Sequence, residues 1–399
     1  MPHQKHRKVI LWIENSRGFG RDLMCGIARY ASLFGPWTFY HRRSFYLDKS
    51  FSAAARKAEL EHLKKWGADG IIAREFSPGT RQEVLSLDIP AILSTVYDSH
   101  LVKRAGVGNI FVDNAGIGAA AAEHLLERGF RHFAFCGIDD FFWSQQRCRG
   151  FSERLQKAGY SVLCYQQPKS AKNPEWDAEQ AILSQWLRSL PKPVGLMACV
   201  DERAQDVIGA CKEPGIHIPE EIALVSGDND ALICELSNPQ LSSVAINGEQ
   251  VGYDAAQLLD ALMQGRKPKD RVITVRPTHV VVRRSSDSLA LSDKETALAL
   301  RYIRANIRRP IQVGDVAEEA AMTRQGLNLR FRKNLGRSVH EEITRTRVQY
   351  IGRMLIETTM SISEIARQMG QMELKQLSRM FRRETGVSPL RYRKQNRPT

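Results

Sequence analysis

Leu327-Asn328-Leu329-Arg330-Phe331-Arg332-Lys333-Asn334-Leu335-Gly336 and, fifty residues on, Leu377-Ser378-Arg379-Met380-Phe381-Arg382-Arg383-Glu384-Thr385-Gly386 carry one pattern of leucine, phenylalanine and glycine. A second matched pair, Val316-Ala317 and Ile365-Ala366, repeats at an offset of forty-nine. One short structural unit has been used twice. Each copy offers a short helix (Val313 to Ala320; Ile362 to Met369), a break (Met322-Thr323; Gly370-Gln371-Met372) and a second helix (Arg324 to Leu335; Glu373 to Thr385). Leucine and phenylalanine at i and i+4 pack that second helix back on the first and leave its opposite face free.

The free face carries Arg324, Gln325 and Asn328 in the first copy and Lys375, Gln376 and Arg379 in the second. These side chains read base edges in the major groove, arginine or lysine suiting guanine and asparagine or glutamine suiting adenine. Arg332, Lys333, Arg382, Arg383 and Arg393 suit phosphates, which set affinity but not sequence. A basic helical bundle with merely solvated charges is the competing reading. Against it stands the charge distribution: residues 294–399 hold 22 Lys and Arg against 10 Asp and Glu, a surplus of 12 within a whole-chain net charge of +14. The expectation is a double-stranded DNA partner, with helix-turn-helix units at about 313–336 and 362–386.

Outward from the repeat the region stays helical. Leu300, Ile303 and Ile307 keep one apolar face, and the capping boxes Ser338-x-x-Glu341 and Ser361-x-x-Glu364 each precede an apolar periodic run. Further back the polar stretch Arg283-Arg284-Ser285-Ser286-Asp287-Ser288 lacks periodicity, and a linker is predicted over 286–293. From Val9 to about Val282 short β-type runs alternate with amphipathic helices, the pattern of parallel sheet covered on both faces. Residues 1–285 exceed a single doubly wound unit, so two α/β lobes sharing a ligand cleft are expected.

The C-terminal residues resemble a known family. Ser361-Ile362-Ser363-Glu364-Ile365-Ala366, Gly370, the run Ser378 to Pro389, and Tyr392-Arg393 resemble the signature of AraC-type regulators. The resemblance implies seven helices, a long one over about Val339 to Ile356 joining the two units, recognition helices entering successive major-groove segments, and a homodimer. Three positions depart from that pattern. Gln371 stands where an aromatic residue is usual, Leu329 where a basic one is common, and Gly326 weakens the first reading helix by about 1 kcal/mol relative to alanine.

The N-terminal part has its own resemblance. Leu126 to Gly137, Arg147-x-x-Gly150-Phe151, Val225 to Asn229 and Pro277 to Arg283 are similar, in order and spacing, to the effector domain of LacI-type repressors, itself similar to periplasmic sugar-binding proteins. Joined to an AraC-type reader, such a domain implies a regulator of carbohydrate use. An aldopentose is among the effectors it implies. Activation is the expected direction, with RNA polymerase as a further partner; repression stays open.

The residues agree with a polyol ligand, which needs carboxylates as acceptors, a guanidinium as donor and an aromatic face. Trp143, Arg147, Asp201 and Asp228 supply that set from loops at strand ends, with Asn15, Arg21, Asp98 and Asp113 as further candidates. Asp201 and Asp113 could equally cap helices, and Trp143 could be core. A purine or amino-acid effector remains an alternative, since Arg147 with Asp228 could hold a carboxylate and an ammonium.

Other chemistries find no footing. Gly18-x-Gly20 has Leu23 at the third glycine position, the ten histidines show no metal spacing, and Gly-x-Ser-x-Gly is missing. No metal, cofactor or enzymatic activity is expected, an enzyme acting in the cleft being the weaker rival. The seven cysteines are scattered singly and read as reduced, mostly buried thiols. The apolar run Val9 to Ile13 is too short for a signal peptide and no stretch approaches a membrane span, so a cytoplasmic address is expected.

Overall fold

The apolar runs form two six-stranded sheets in the computed structural model, which describes residues 6–41, 61–75, 79–95, 100–167, 176–287 and 293–396. The strands are β1 (Arg7–Trp12), β2 (Trp37–His41), β3 (Gly70–Arg74), β4 (Ala91–Ser94), β5 (Val107–Val112), β6 (His132–Cys136), β7 (Val162–Cys164), β8 (Val194–Ala198), β9 (Ile222–Asp228), β10 (Ser242–Ile246), β11 (Val272–Val275) and β12 (Pro277–Val281). The first sheet runs β2-β1-β3-β4-β5-β11 and the second β7-β6-β8-β9-β10-β12. Every pairing is parallel except that of β12 with β10. The chain therefore crosses between lobes three times, after Val112, Ile246 and Val275. Central strands are apolar throughout because helices cover both faces; β8 is buried at every position.

The helices of this part are α1 (Gly18–Phe34), α2 (Thr80–Leu85), α3 (Asn114–Glu127), α4 (Phe142–Gln156), α5 (Trp176–Ser189), α6 (Asp201–Lys212), α7 (Ala231–Leu236) and α8 (Gly248–Met263). α1 and α8 close the first lobe around Val9, Ile72, Ile92 and Leu259. α3 and α4 close the second around Ile117, Phe133, Phe151 and Val225. Gly118 and Gly150 fix how α3 meets α4. A Cβ on Gly118 would lie 2.0 Å from the Arg147 carbonyl oxygen, and one on Gly150 2.0 Å from that of Ala115. Only glycine permits this approach of backbone to backbone, and it sets where Arg147 stands.

Ser286, assigned to a linker by composition, is instead buried. Its hydroxyl meets His124 Nε2 at 2.8 Å and its carbonyl accepts from Arg128 Nε at 2.8 Å, while Ser285 donates to the Leu224 carbonyl at 2.7 Å. Hydroxyls satisfied this way make a polar stretch part of the lobe. Burial, with Arg128 beside it, holds the His124 pKa well below its ordinary value. Residues 288–292 of the expected linker lie outside the described residues.

Seven helices follow among the described residues: α9 (Lys294–Asn306), α10 (Val313–Glu319), α11 (Arg324–Leu335), α12 (Val339–Glu357), α13 (Ile362–Gln368), α14 (Leu374–Thr385) and α15 (Pro389–Asn396). They form two cores, one with Leu300, Ile303, Leu327 and Phe331, the other with Ile351, Leu355, Leu377 and Phe381. α12 supplies both. The repeated glycines have one cause: Gly336 (φ 71°) and Gly386 (φ 75°) end α11 and α14 in the left-handed conformation that a side chain would strain. Both expected capping boxes form. A third, Gln312 with Asp315, starts α10.

The seven cysteines are free: four are buried, Cys25 and Cys164 are exposed, and half-buried Cys148 holds its Sγ 3.6 Å from that of Cys164.

Candidate effector cleft and nucleic-acid interface

The carboxyl ends of strands from both sheets face one another across a cleft, where parallel α/β sheets hold ligands. Arg74 ends β3, Ser94 ends β4 with Thr95 just beyond it, Val112 ends β5, Asp228 ends β9 and Ile246 ends β10, and all line it with Arg17, Phe19, Asn114, Trp143, Arg147 and Val200. Arg147 is its most constrained member. The guanidinium donates to Asn114 Oδ1 (3.0 Å), the Cys199 carbonyl (2.7 Å) and Asp228 Oδ1 (2.6 Å), and lies 5.2 Å from the centre of the Trp143 ring. Gly227 makes room for it, since a Cβ there would sit 2.9 Å from Arg147 Nη1. Trp143 stacks in turn on Phe141. Asp228 and Asn229 both have positive φ (91° and 53°), an uncommon conformation that turns the end of β9 toward the cleft. Burial lowers the Arg74 pKa, with the Asp228 charge opposing it, and the Arg74 guanidinium packs on the Phe19 ring.

Of the expected ligand residues, Trp143, Arg147 and Asp228 converge on this cleft. Helix α4 starts at Phe142, so Arg147 stands in its second turn and not in a strand-end loop. Asp201 does not reach the cleft. It is 1% exposed and accepts from the hydroxyls of Ser226 and Ser243 and from the Asp230 amide, so it braces the loop that carries Asp228. Nor is it an N-cap, because Val200 occupies that position. Burial, with the Asp228 charge nearby, pushes the Asp201 pKa up to about 7.

Arg21 is paired with a carboxylate of the opposite lobe. Its Nη2 donates to both oxygens of Asp230 at 2.7 and 2.8 Å, and the Gly18 amide adds a third bond at 2.7 Å. With Arg17 and Glu202 at 3.0 Å these bonds latch the lobes together. Asn15 is exposed and offers its carbonyl to Arg21; Asp113 caps α3 through the Gly116 amide at 2.8 Å. Asp98 lies outside the described residues. The lining residues missed include Arg17, Phe19, Arg74, Ser94, Thr95 and Asn114. For Arg74 and Ser94 the strand-end position was the available signal, masked by the apolar runs they terminate.

The second face of interest lies on α11 and α14. Lys375, Gln376, Arg379, Arg382 and Arg383 are exposed on α14, opposite buried Leu377 and Phe381, and Arg324, Gln325, Arg332 and Lys333 are exposed on α11. Two expected contacts are otherwise engaged. Asn328 accepts from the Val339 amide at 3.0 Å and so ties α11 to α12. Arg393 bonds the carbonyls of Leu355 and Met360, closing the end of α12. The described residues include no cluster of metal-ligand side chains and no helix long and apolar enough to cross a membrane.

Comparison with known proteins finds relatives of both parts of the chain. Residues 122–286 match the periplasmic binding protein-like domain family and residues 316–395 a helix-turn-helix domain family. The xylose operon regulatory protein of Escherichia coli (strain K12) is 29% identical over 399 residues, 98% of each chain. That of Haemophilus influenzae is 29% identical over 395 residues, 98% of this chain and 99% of the relative. Among solved structures, a xylose-binding transcription activator superposes with a TM-score of 0.60 and 27% identity over 99% of both chains.

Proposed function

We propose that this chain, a transcription regulator joining a periplasmic-binding-protein-like sensor to an AraC-type helix-turn-helix reader, activates carbohydrate-use genes when an aldopentose such as D-xylose closes its cleft. The observation that carries the reading is Arg147, a buried guanidinium set between a carboxylate and an aromatic ring at the strand ends. Such a group orients adjacent hydroxyls, and Trp143 beside it gives the cleft an apolar wall. Near full-length likeness to two xylose operon regulators supports the pentose. The AraC-type resemblance supports a homodimer that recruits RNA polymerase, and DNA as target supports a cytoplasmic address. The cleft is read as a binding site, not a catalytic one; turnover of the sugar by the full chain would overturn that.

A second reading has one observation in its favour. Arg17, Arg74 and Arg147 line the cleft with Asp228 as the one carboxylate among its described lining residues, a surplus that would suit an effector bearing a carboxylate. Thermal-shift measurements across pentoses, nucleobases and amino acids separate the two. Stabilisation by D-xylose is expected, and a shift by amino acids alone would end the sugar reading.

The response has a physical route. Helix α4 carries Trp143 and Arg147 near its start and Arg154 in its last turn, where Arg154 Nε meets Glu123 of α3 at 2.7 Å. Glu123 also accepts from Arg345 of α12 at 2.6 Å, Glu127 pairs with the same arginine, and Gln349 donates to Glu127 at 2.9 Å. Beside this cluster a cavity of about 480 Å³ separates α3 and β12 from the helical domain. Burial raises the Glu123 pKa, but Arg345 and Arg154 outweigh it and leave the pKa below its ordinary value. A depressed carboxylate pKa means the contact is fully formed at neutral pH and weakens only as pH falls through the acid range. Arg345→Ala should therefore reduce the effector-induced change in DNA affinity by at least about fivefold, leaving effector affinity in the absence of DNA within about twofold. DNA titrations with and without effector, beside calorimetry, check this; an undiminished response would place the coupling elsewhere.

A further inference from the structure

The outward face of α11 holds a residue that neither hydrogen-bond readout nor phosphate neutralisation explains. At 100° per residue, Leu329 falls almost opposite the buried Leu327 and Phe331, one turn after Gln325 and one turn before Arg332 and Lys333. It is 64% exposed, while both its neighbours in sequence are tied down: Asn328 to the Val339 amide, Arg330 to Asp293 and Glu295. In the second copy of the unit the same position, fifty residues on, is Arg379. The two reading helices thus differ at the centre of the surface they present.

A leucine cannot bond to a base edge or a phosphate. In the major groove its complement is the C5-methyl group of thymine, the apolar feature that separates T·A from the other pairs. Cationic residues around it would hold the helix against the phosphates and bring the leucine to the bases. We propose that Leu329 is a specificity-determining residue of the first helix-turn-helix unit, reading a thymine methyl where the second unit presents Arg379 to a guanine. This rests on the DNA-reading function proposed above. A regulator built so would prefer a target whose two segments differ in chemistry, one thymine-dependent and one guanine-dependent.

The test uses the full chain on a site selected from random DNA, with each thymine replaced singly by deoxyuridine. That change removes one methyl and keeps base pairing. One such replacement should raise Kd about fourfold, the worth of one buried methyl. Leu329→Ala should weaken binding to the unmodified site and be indifferent to that replacement, whereas Arg379→Ala should keep the thymine effect. Leu329 packs against nothing essential to the fold, so the variant's thermal unfolding should match the parent's. Selective binding in which no deoxyuridine costs more than about 1.5-fold, or in which the cost persists undiminished in Leu329→Ala, overturns the proposal and leaves the DNA-reading function standing. If random DNA yields no selected site, the DNA-reading function itself fails and the proposal falls with it.

Discussion

An Arg147→Ala variant is expected to bind effector at least about a hundredfold more weakly, because losing a buried charged hydrogen-bond donor from a binding site costs on the order of 2–5 kcal/mol of affinity. The loss has three parts here. Asp228 keeps a charge without its partner, the Cys199 carbonyl loses its donor, and Trp143 loses the cation that lies against its face. DNA affinity without effector should stay within about twofold, since the cores around Phe331 and Phe381 share no residue with the lobe that holds Arg147, and coupling reaches them only through differential contacts. Arg147→Lys separates binding from folding: it keeps the charge, so the lobe should melt close to the parent, but one ammonium cannot serve three acceptors in the fork geometry. Calorimetry and thermal unfolding together decide the matter. Loss of effector and DNA binding at once would make Arg147 a structural residue instead.

Arg379→Ala is expected to weaken the preferred DNA by about 1–3 kcal/mol and to blur the preference at a single base pair. Arg379 is exposed at the centre of the α14 face, opposite Leu377 and Phe381, so its removal disturbs no packing. Alanine at Arg382 or Arg383 should instead weaken all sequences alike and reduce the dependence of log K on log salt by about one unit each. Binding measured on the selected site and its single-base variants distinguishes the two behaviours. A uniform loss for Arg379→Ala would reassign it to a phosphate.

Local patterns carried much of this into the sequence. The spacing of Leu327 with Phe331 and of Leu377 with Phe381 depends only on the helical period, and the boxes at Ser338 and Ser361 only on four residues each, so all were legible. The strands at Ala91–Ser94, His132–Cys136 and Val194–Ala198 were equally plain as apolar runs. The three crossings between lobes were not, because which sheet a strand joins is decided by partners far away in sequence. The same limit governs the cleft. Arg147 and Asp228 could be named from strand-end position, but Arg21 belongs to Asp230, more than two hundred residues distant, and Asp201 to two serines on neighbouring strands. Short polar side chains serve caps, latches and ligands alike, and only the fold distinguishes them. Asn328 shows the same limit: the amide of Val339, eleven residues on, claims its oxygen.

The central claim is that one chain reads DNA and that a small carbohydrate alters the reading. Its most direct test is the Kd of the full chain for DNA selected from random sequence, measured across salt concentrations with and without D-xylose. A steep salt dependence is expected from the cationic faces of α11 and α14, and a change of at least about fivefold in Kd on adding the sugar. Equal affinity with and without D-xylose and other pentoses, on a site the protein binds selectively, would contradict the account.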